Sequence, residues 1–324
     1  MNTVKIGIIG TGWIAEKMAI TLEGMEGVEA YAVASRQLQT ACDFADRWGF
    51  TRAYGSYEEM LDDEEVELVY IATPHSHHFE HARMSLLKGK AVLCEKAFTA
   101  NARQAEELLN LAKEKELFIT EAIWTRYMPL SHTINDLVTS GIIGRPMTLS
   151  ANLGYPIGNR ERLRQPALAG GALLDLGVYA LNFASMVFGT DVERVTSTCV
   201  KTDTGVDAQN SITLTFKDGK IAVLHSSMLS MTDRQGIISG DKGHLIIENI
   251  NNPQRIRVVT EDYKTAVVYN CPPQITGYEY QVYASMEALR NGWLESPYMP
   301  HAETLRIMRM MDDLRREWGV HYPA

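Results

Sequence analysis

Cysteines are few in this sequence, and none belongs to a paired motif. The four of them lie far apart and form no CxxC pair: Cys42, Cys94, Cys199 and Cys271. Scattered thiols of this kind are typical of a reducing compartment rather than of a disulfide framework. Residues 1–3 lead straight into an apolar segment, without the charged region and cleavage site of a signal peptide. We therefore expect a cytoplasmic protein.

The sequence also lacks an excess of basic charge and a long apolar run. It has 31 Lys and Arg against 40 Asp and Glu, which gives a net charge of -9. Nucleic acids and anionic membranes both favour basic proteins, so we expect neither as the main partner. No apolar run approaches the roughly 20 residues that cross a bilayer, so we expect no membrane-spanning segment. The 324 residues suit a globular protein of two domains.

Apolar strands alternate with helices in the first part of the chain. The predicted strands are Val4–Ile9, Glu29–Ala34, Arg52–Tyr54, Leu68–Ala72, Ala91–Cys94 and Phe118–Thr120. The predicted helices are Trp13–Leu22, Leu38–Trp48, Tyr57–Leu61, Phe79–Leu87 and Ala102–Lys115. Such alternation implies right-handed crossovers between parallel strands. Residues 1–122 are therefore predicted to form an α/β domain with a doubly wound parallel sheet.

Beyond residue 122 the alternation of strands and helices ends, and long segments in which apolar and polar residues alternate take its place. The predicted strands are Val195–Thr202, Ser211–Phe216, Ile221–Ser227, Ile237–Ser239, Leu245–Ile247, Ile256–Thr260 and Ala266–Tyr269. The predicted helices are Ser131–Thr139, Leu174–Phe188, Glu279–Asn291 and Ala302–Trp318. We expect residues 123–324 to form an α+β domain with a large, open, mostly antiparallel sheet. One face would cover helices and the other needs a cover such as another subunit, which predicts a homodimer or tetramer.

A glycine-rich turn joins the first strand to the first helix. It reads Gly10-Thr11-Gly12-Trp13-Ile14-Ala15. Gly10 permits the tight turn, Gly12 lets the backbone approach a pyrophosphate, and Ala15 lets helix and strand pack closely. The helix N-terminus presents N–H groups and a positive dipole end to the phosphates. The strand–turn–helix context predicts that residues 10–14 contact a dinucleotide cofactor.

The second strand ends without the acidic residue that NAD enzymes place there. Aspartate or glutamate at this point binds the ribose 2′-hydroxyl of NAD. This chain has Ala34-Ser35-Arg36 instead. A hydroxyl and a guanidinium suit a 2′-phosphate, and Arg36 can also stack on the adenine. We therefore expect NADP(H) in preference to NAD(H); the alternative is a surface arginine that begins a helix.

A histidine-rich segment follows the fourth strand. It reads Thr73-Pro74-His75-Ser76-His77-His78, with His81 beyond it. His77 and His81 have the spacing of a metal-ligand pair on a helix, but no third ligand has suitable spacing. The carboxyl-end turn of a doubly wound sheet is also where a nucleotide lies. We expect Thr73, Pro74, His75 and His78 to contact the cofactor and expect no metal.

Two further strings leave a functional and a structural interpretation open. Glu95-Lys96 ends the fifth strand, which places the pair either in the crevice beside the nicotinamide or at an ordinary surface position. In the Gly170–Tyr179 string, Asp175 and Tyr179 share a helix face. The preceding glycines allow close approach of the backbone to a ligand. Pattern alone favours Tyr179 as a core aromatic and Asp175 as a helix N-cap.

Four motifs taken together carry a resemblance to a known family. They are Gly10-x-Gly12-x-x-Ala15, Ala72-Thr73-Pro74, Cys94-Glu95-Lys96 and Asp175-x-Gly177-x-Tyr179. They resemble the glucose–fructose oxidoreductase / inositol dehydrogenase (Gfo/Idh/MocA) family, over nearly the whole chain. Residues 120–127 and the Gly170–Tyr179 string look most like its branch of dimeric dihydrodiol dehydrogenase and NADP-dependent xylose dehydrogenase. The resemblance implies an N-terminal Rossmann domain and a C-terminal α/β domain with a large open sheet.

The same resemblance implies catalytic roles. The family's Glu-Lys-Pro lysine lies beside the nicotinamide, which implies that role for Lys96, although Ala97 replaces the proline. Tyr179 stands where the family commonly has histidine, as in the dihydrodiol dehydrogenase branch, where the tyrosine is the proposed acid/base. Asp175 would orient the substrate or Lys96. His75 takes the place of the family's asparagine.

These roles imply an NADP-dependent oxidoreductase. A secondary alcohol of a sugar, polyol or trans-dihydrodiol would give a hydride to C4 of the nicotinamide and its hydroxyl proton to Tyr179. The Lys96 ammonium and the charge of the oxidised nicotinamide would favour the phenolate. Residues with aromatic faces or charge are substrate-pocket candidates that could equally be packing residues: Trp124, Arg126, Tyr155 and, more weakly, Tyr278.

A non-catalytic dinucleotide-binding regulator of the same fold is the alternative. The presence of both Lys96 and Tyr179 favours an enzyme. The acidic net charge and the lack of a basic DNA-binding module disfavour direct contact with DNA.

Overall fold

The chain folds into two compact units in the computed structural model, which describes residues 3–323. One unit comprises the chain up to Ile123 together with Gln274–Arg309, and the other comprises Trp124–Pro273 with the residues from Met310 onward. Residues 1 and 2, part of the opening segment in which we expect no signal peptide, lie outside the described residues. The sequence boundary at residue 122 did not anticipate that residues 274–309 belong to the first unit.

A six-stranded parallel sheet forms the centre of the first unit. Its strands are β1 (Val4–Ile9), β2 (Val28–Ala34), β3 (Arg52–Tyr54), β4 (Leu68–Ile71), β5 (Ala91–Glu95) and β6 (Ile119–Ala122). The helices between them are α1 (Trp13–Glu23), α2 (Leu38–Trp48), α3 (Tyr57–Leu61), α4 (His75–Leu87) and α5 (Ala102–Glu114). The strand order is β3-β2-β1-β4-β5-β6, and every pairing is parallel. This is the doubly wound arrangement expected for nucleotide binding.

Helix α4 begins four residues earlier than predicted. It starts at His75, directly after Pro74, whereas the sequence suggested a start at Phe79. Proline fixes an extended backbone before the first helical turn, with φ -62° and ψ 152° at Pro74. The histidine-rich segment is therefore helical, and its buried members, His75, His78 and His81, recur every three residues along one face.

An eight-stranded sheet forms the centre of the second unit. Its strands are β7 (Pro146–Gly154), β8 (Val192–Lys201), β9 (Asp207–Phe216), β10 (Ile221–Ser227), β11 (Gly236–Gly240), β12 (Gly243–Glu248), β13 (Arg255–Thr260) and β14 (Thr265–Asn270). Their order is β14-β13-β12-β11-β7-β10-β9-β8. The β7–β10 pair is parallel and the other pairs are antiparallel. The predicted large, mostly antiparallel sheet is confirmed.

Strand β7 was missed by the sequence prediction although it lies in the interior of this sheet. Its buried positions are Leu149, Ala151 and Leu153, and polar residues stand between them. That alternation is a strand signal with a period of two. The segment is easily overlooked because its buried side chains are small or unbranched at Cβ, and threonine, serine and asparagine fill the other positions.

Three α-helices of the second unit lie between β6 and β8 in the chain. They are α6 (Pro129–Thr139), α7 (Glu161–Arg164) and α8 (Val178–Phe188), the last preceded by a π-helical turn, Leu173–Gly177. Helix α8 packs against β7 and β10. The stretch Pro166–Phe188 is long and apolar enough to cross a membrane, which corrects our expectation that no such run exists. Its most apolar window is 89% buried inside the protein, as core helices are.

The outer face of the eight-stranded sheet carries a row of accessible side chains. One residue from each strand contributes, in register across the sheet: Thr196, Thr213, Val223, Ser150, Ile237, Ile246, Arg257 and Val268. None of the eight is buried. Four of them are β-branched hydrocarbons, so this face presents apolar surface.

The C-terminal helices follow the second sheet. They are α9 (Glu279–Asn291) and α10 (His301–Trp318). The segment around α9 is tied to the first unit: Thr276 Oγ1 lies 2.6 Å from Thr21 Oγ1, and the Ile119 amide donates to the Leu294 carbonyl at 3.1 Å. The division between the units falls within α10, after Arg309.

Candidate active site

The carboxyl ends of four strands of the first unit meet at one edge of the parallel sheet. Gly10 follows β1, Ser35 follows β2, Thr73 follows β4 and Lys96 follows β5. The strand order reverses between β1 and β4, which makes this edge a topological switch point. Ligands of doubly wound sheets bind in the crevice at such a point. The structure thus places the glycine turn and the segments that follow β2, β4 and β5 at one edge of the sheet.

The glycine turn has the geometry that a pyrophosphate requires. Gly10 adopts a φ of +106°, and a Cβ on it would lie 3.0 Å from the Ala72 carbonyl oxygen. A Cβ on Gly12 would meet no atom within 4 Å, so open space lies above this backbone. Gly12 is the N-cap of α1, and no side chain caps the helix. Its first N–H groups therefore face a space that an anion can enter.

A cavity of about 530 Å³ joins the glycine turn to the end of β2. It is lined by Thr11, Ser35, Arg36, Gln37 and Thr40. None of these five residues is acidic, so no carboxylate on the lining would repel a phosphate. The hydroxyls and the Arg36 guanidinium are the donors that a ribose 2′-phosphate would use. The lining residues fit NADP.

A second cavity, of about 710 Å³, lies elsewhere on the first unit. Helix α5 and residues 293–305 line it, with Trp293 and His301 among them. None of the sequence-predicted site residues borders this cavity. Although it is the larger of the two, it lacks the donor set and the switch-point position of the smaller one.

The buried His78 connects the turns after β4 and β5. Its side chain is 0% exposed, and its Nδ1 and Nε2 each lie 2.8 Å from a carbonyl oxygen, of Ala97 and Thr73 respectively. Burial lowers the pKa of His78 to about 4, and the nearby Lys96 charge acts in the same direction. A neutral imidazole donates to only one of the two carbonyls. His78 was predicted to contact the cofactor; the buried ring instead fixes the backbone beside Lys96.

The spaced pair His77 and His81 lies against hydroxyl groups of neighbouring residues. The two rings stack at 5.8 Å, and their Nδ1 atoms lie against the hydroxyls of Ser76 and Thr73, respectively. Burial lowers the pKa of His81 to about 4. Among residues 3–323, no group of three or more His, Cys, Asp or Glu side chains could hold a metal ion.

Two buried carboxylates hold the backbone on either side of Lys96. Glu95 accepts hydrogen bonds from the Tyr70 hydroxyl and, at 3.2 Å, from the Lys96 amide. Glu121 on β6 accepts from the Phe98 amide at 3.1 Å. The Lys96–Ala97 peptide bond is cis. Lys96 itself is half-buried, and the two carboxylates fix the backbone around it.

In the second unit Tyr179 lies at the start of α8 against Trp124. Their side chains are each 7% exposed, and the Trp124 indole N–H donates to the Tyr179 hydroxyl oxygen at 3.0 Å. An indole nitrogen only donates, so the Tyr179 oxygen is the acceptor. A hydrogen bond of this sense stabilises a phenolate more than a phenol. The Tyr179 hydroxyl thus has a defined hydrogen-bond donor within the second unit.

Asp175 lies within the π-helical turn and is not the N-cap that its pattern suggested. Its Oδ1 accepts from the Arg162 guanidinium at 3.1 Å, and its side chain is 7% exposed against 41% for Arg162. The glycines before it serve a different purpose from the one expected. A Cβ on Gly170 would lie 2.5 Å from the Leu163 carbonyl oxygen, and one on Gly171 would lie 2.3 Å from Asp207 Oδ1. They allow close packing of protein on protein rather than approach to a ligand.

Arg126 is directed at α8. Its Nε donates to Asn182 Oδ1 at 2.6 Å and its Nη2 to Ser185 Oγ at 3.4 Å. Asn182 in turn donates to the Val178 carbonyl at 2.8 Å. These bonds hold the helix that carries Tyr179, so Arg126 has a supporting contact besides its predicted role toward substrate.

Tyr155 belongs to a polar cluster that the sequence did not reveal. Its hydroxyl accepts from Arg234 Nη1 at 3.2 Å and donates to Asn251 Oδ1 at 3.5 Å. Thr125, next to Trp124, donates to the Asn251 carbonyl at 2.8 Å. Of the four substrate candidates, Trp124, Arg126 and Tyr155 lie in the second unit, whereas Tyr278 precedes α9 in the first.

The parallel sheet, the glycine turn at its switch point and the cavity at Arg36 define a dinucleotide-binding protein. Comparison with known proteins agrees. The NAD-binding Rossmann-fold model of the GFO/IDH/MocA oxidoreductases matches residues 4–122, and the C-terminal domain model of that family matches residues 131–246. The chain belongs to the GFO/IDH/MocA oxidoreductase family and is an enzyme of the dehydrogenase and reductase type.

Two named relatives span nearly the whole chain. Trans-1,2-dihydrobenzene-1,2-diol dehydrogenase of Xenopus laevis is 34% identical, covering 98% of this chain and 99% of the relative. D-xylose 1-dehydrogenase (NADP(+)) of Hypocrea jecorina is 35% identical, covering 99% and 93%.

Solved structures share the fold. A 3-ketoreductase of Actinomadura kijaniata, solved with NADP and TDP-benzene, has a TM-score of 0.88 at 26% identity, covering 97% of this chain and 98% of that one. Levoglucosan dehydrogenase with NADH and levoglucosan has the same TM-score at 17% identity and shows the fold alone, over 99% of this chain and 100% of that one.

Proposed function

We propose that the protein is an NADP-dependent oxidoreductase that interconverts a secondary alcohol and a carbonyl on a sugar, polyol or trans-dihydrodiol. The observation that carries this proposal is the Trp124–Tyr179 hydrogen bond, because it prepares the tyrosine oxygen for a negative charge. The named substrates of the relatives, a dihydrodiol and xylose, support the substrate class.

When bound, NADP supplies C4 of its nicotinamide as hydride acceptor or donor. The α1 N-terminus at Gly12 would hold the pyrophosphate and Arg36 the 2′-phosphate. During alcohol oxidation the carbinol C–H bond breaks, its electron pair leaves with the hydride, and the Tyr179 phenolate accepts the hydroxyl proton. Lys96 would stabilise negative charge on the reacting oxygen. Asp175, held by Arg162, would orient the substrate.

Replacement of Tyr179 tests the chemistry. Tyr179→Phe removes the proton acceptor but keeps the ring, so kcat should fall by about a hundredfold or more. The Kd for NADPH, measured by fluorescence titration, should not change. Tyr283→Phe, at an exposed position on α9, is the matched control and should keep its kcat. Undiminished turnover of Tyr179→Phe, or no turnover of the native enzyme with any pentose, hexose, polyol or dihydrodiol, would contradict the proposal.

Replacement of Arg36 tests the cofactor preference. Arg36→Ala should weaken NADPH binding by about 10- to 100-fold, as loss of a charge-assisted contact does, and leave NADH binding unchanged. Arg103→Ala on α5, another exposed arginine, is the control. An equal loss for both cofactors would mean that Arg36 does not recognise the 2′-phosphate.

The cluster around Tyr155 favours a polyhydroxylated substrate over a dihydrodiol. Arg234 adopts a left-handed φ of 59°, held by its amide to Asn152 Oδ1 and its carbonyl to the Ile250 amide. Such a backbone persists only where its surroundings enforce it. No carboxylate pairs with the half-buried guanidinium in the described part of the chain. Its remaining donors match hydroxyl or carboxylate groups of a sugar or sugar acid.

A pair of substrates tests this preference. Arg234→Met should lower kcat/KM for D-xylose by about tenfold or more and change that for trans-dihydrobenzenediol by less than about threefold. Arg316→Met, at an exposed position of the same unit, should affect neither. Equal losses on both substrates would reject the preference for polyhydroxylated substrates.

We also propose a homodimer formed through the outer face of the eight-stranded sheet, in a cytoplasmic protein. The apolar row through Ile237 and Ile246 supports the homodimer. The free thiols of all four cysteines support the cytoplasmic location. Sedimentation should give twice the 36.3 kDa chain mass, and Ile246→Asp should reduce it to that of one chain. Ile142→Asp, outside this face, is the control. A monomeric native protein would contradict the dimer, and recovery in a membrane or secreted fraction would contradict the location.

A further inference from the structure

A buried carboxyl group on β9 holds the turn that leads into the Tyr179 helix. Asp207 is 0% exposed. Its Oδ2 accepts from the Leu173 amide at 2.7 Å and from Asn210 Nδ2 at 2.9 Å. Leu173 begins the π-helical turn that contains Asp175 and continues directly into α8 and Tyr179. The carboxylate therefore satisfies an amide at the start of the segment that bears both proposed site residues.

The second oxygen of Asp207 lies against the same segment. Oδ1 is buried and has no hydrogen-bond partner among the residues that the structure describes. It is so close to Gly171 that a Cβ there would lie 2.3 Å from it, and Gly171 has a φ of +112°. The Tyr322 hydroxyl donates to the Gly170 carbonyl at 2.6 Å. Residues 170–173 are thus held by contacts with β9 and with the C-terminal segment.

The groups that face Asp207 come from several elements. Arg315 on α10 lowers the pKa of Asp207. Burial raises the pKa of Cys199 on β8 and of Tyr322 near the C-terminus, and the Asp207 carboxylate acts in the same direction on both. Desolvation outweighs Arg315 and the hydrogen bonds, and raises the pKa of Asp207 to about 6. The carboxylate is therefore ionised at neutral pH and neutral in mild acid.

We infer that Asp207 is a positioning residue for the proposed reaction: its carboxylate holds the Leu173–Gly177 turn, and through that turn the placement of Asp175 and Tyr179. This inference rests on the proposed function. Hydrogen bonds to an ionised acceptor are roughly twice as strong as neutral ones, so protonation weakens the hold on the Leu173 amide without removing it.

Kinetics at varied pH test the inference. In the direction of carbonyl reduction, in which Tyr179 donates a proton and acid does not deplete its reactive form, the native kcat should fall about three- to tenfold as Asp207 becomes protonated, around pH 6. Asp207→Asn keeps the shape and the acceptor without the charge, so its kcat should remain at the lower level throughout, with the KM for NADPH unchanged. Asp191→Asn, an exposed aspartate of the same unit, should reproduce the native profile. The inference would be overturned if kcat of Asp207→Asn fell in acid as that of the native enzyme does, or if it equalled the native kcat at neutral pH.

Hydrogen exchange gives a readout that needs no substrate. After correction for the intrinsic rate, protection of the Leu173 amide should fall with acid in the native protein and be independent of pH in Asp207→Asn. Asp207→Ala should lose that protection while more distant amides keep theirs. If these changes occur but no substrate is turned over, the proposed function fails and the hold on the turn stands. If protection of the Leu173 amide changes neither with pH nor with substitution of Asp207, the inference fails, whether or not the enzyme turns over a substrate.

Discussion

Substituting Asp207 with asparagine should favour the folded protein more at pH 8 than at pH 4.5, although it slows the reaction. Burial raises the pKa of this carboxyl from its ordinary value of 3.8 to about 6 in the folded protein. The proton is therefore bound more tightly in the folded than in the unfolded chain. The stability that this preference contributes is complete below pH 3.8 and is lost as the pH rises through about 6.

The size of the effect follows from the two pKa values. Compared with a group that never ionises, ionisation of Asp207 lowers the free energy of unfolding by about 1 kcal/mol at pH 4.5 and by about 3 kcal/mol at pH 8. Asparagine does not titrate, and any fixed effect of the substitution is the same at both pH values. The stability difference between Asp207→Asn and the native protein should therefore grow by about 2 kcal/mol between pH 4.5 and pH 8, in favour of the variant.

Denaturant unfolding of the two proteins at both pH values measures this difference, with Asp191→Asn as a control that should show no such growth. Tryptophan fluorescence and circular dichroism should be followed together, because two units need not unfold in one step. A difference that is constant with pH, or that grows in favour of the native protein, would refute the reasoning that Asp207 is ionised at a cost.

Three other outcomes are expected. Gly12→Ala should change the unfolding free energy by less than about 0.5 kcal/mol, since its Cβ meets no atom within 4 Å, yet weaken NADPH binding at least about tenfold in fluorescence titration. Trp124→Phe should lower kcat about tenfold with NADPH affinity intact, measured against Trp293→Phe. Cys94, whose thiol pKa burial raises well above its usual range, should resist iodoacetamide at pH 8 by mass spectrometry.

Each of these has a clear contrary result. Unchanged NADPH affinity in Gly12→Ala would mean that the pyrophosphate does not bind at the α1 N-terminus. Full turnover of Trp124→Phe would show that its hydrogen bond to Tyr179 does not assist the chemistry. Alkylation of Cys94 in the folded protein, faster than that of the half-buried Cys42, would show that β5 opens readily.

The parallel sheet and its cofactor edge could be predicted because their signals are local. Each strand of the first unit is a short apolar run, and glycine, proline or a polar pair marks its end. The chemistry of such a fold collects at strand ends, so Gly12, Arg36 and Lys96 could be named before their proximity was known. The start of α4 was misplaced because a run of histidines and a serine has weak helical periodicity.

The hydrogen bonds that hold the candidate site residues of the second unit could not be predicted, because the two residues of each bond are far apart in the chain. Asp207 and Leu173 are 34 residues apart, and Arg234 and Tyr155 are 79 apart. No local pattern distinguishes these side chains from other polar residues on strands and turns. The same reason explains why the glycines before Asp175 suggested a ligand: the atoms that need the space belong to Leu163 and Asp207.

The first unit is interrupted in sequence, and this has a consequence for how the chain matures during synthesis. Its last portion, Gln274–Arg309, leaves the ribosome only after the whole of Trp124–Pro273. Until then β6 lacks the backbone partner at Leu294, and the α1 end near Gly24 lacks the side chain of Ile275 that packs on it. An apolar surface of the nascent Rossmann sheet thus stays uncovered during most of translation, when aggregation competes with folding. A chain truncated after residue 122 would keep that surface exposed permanently.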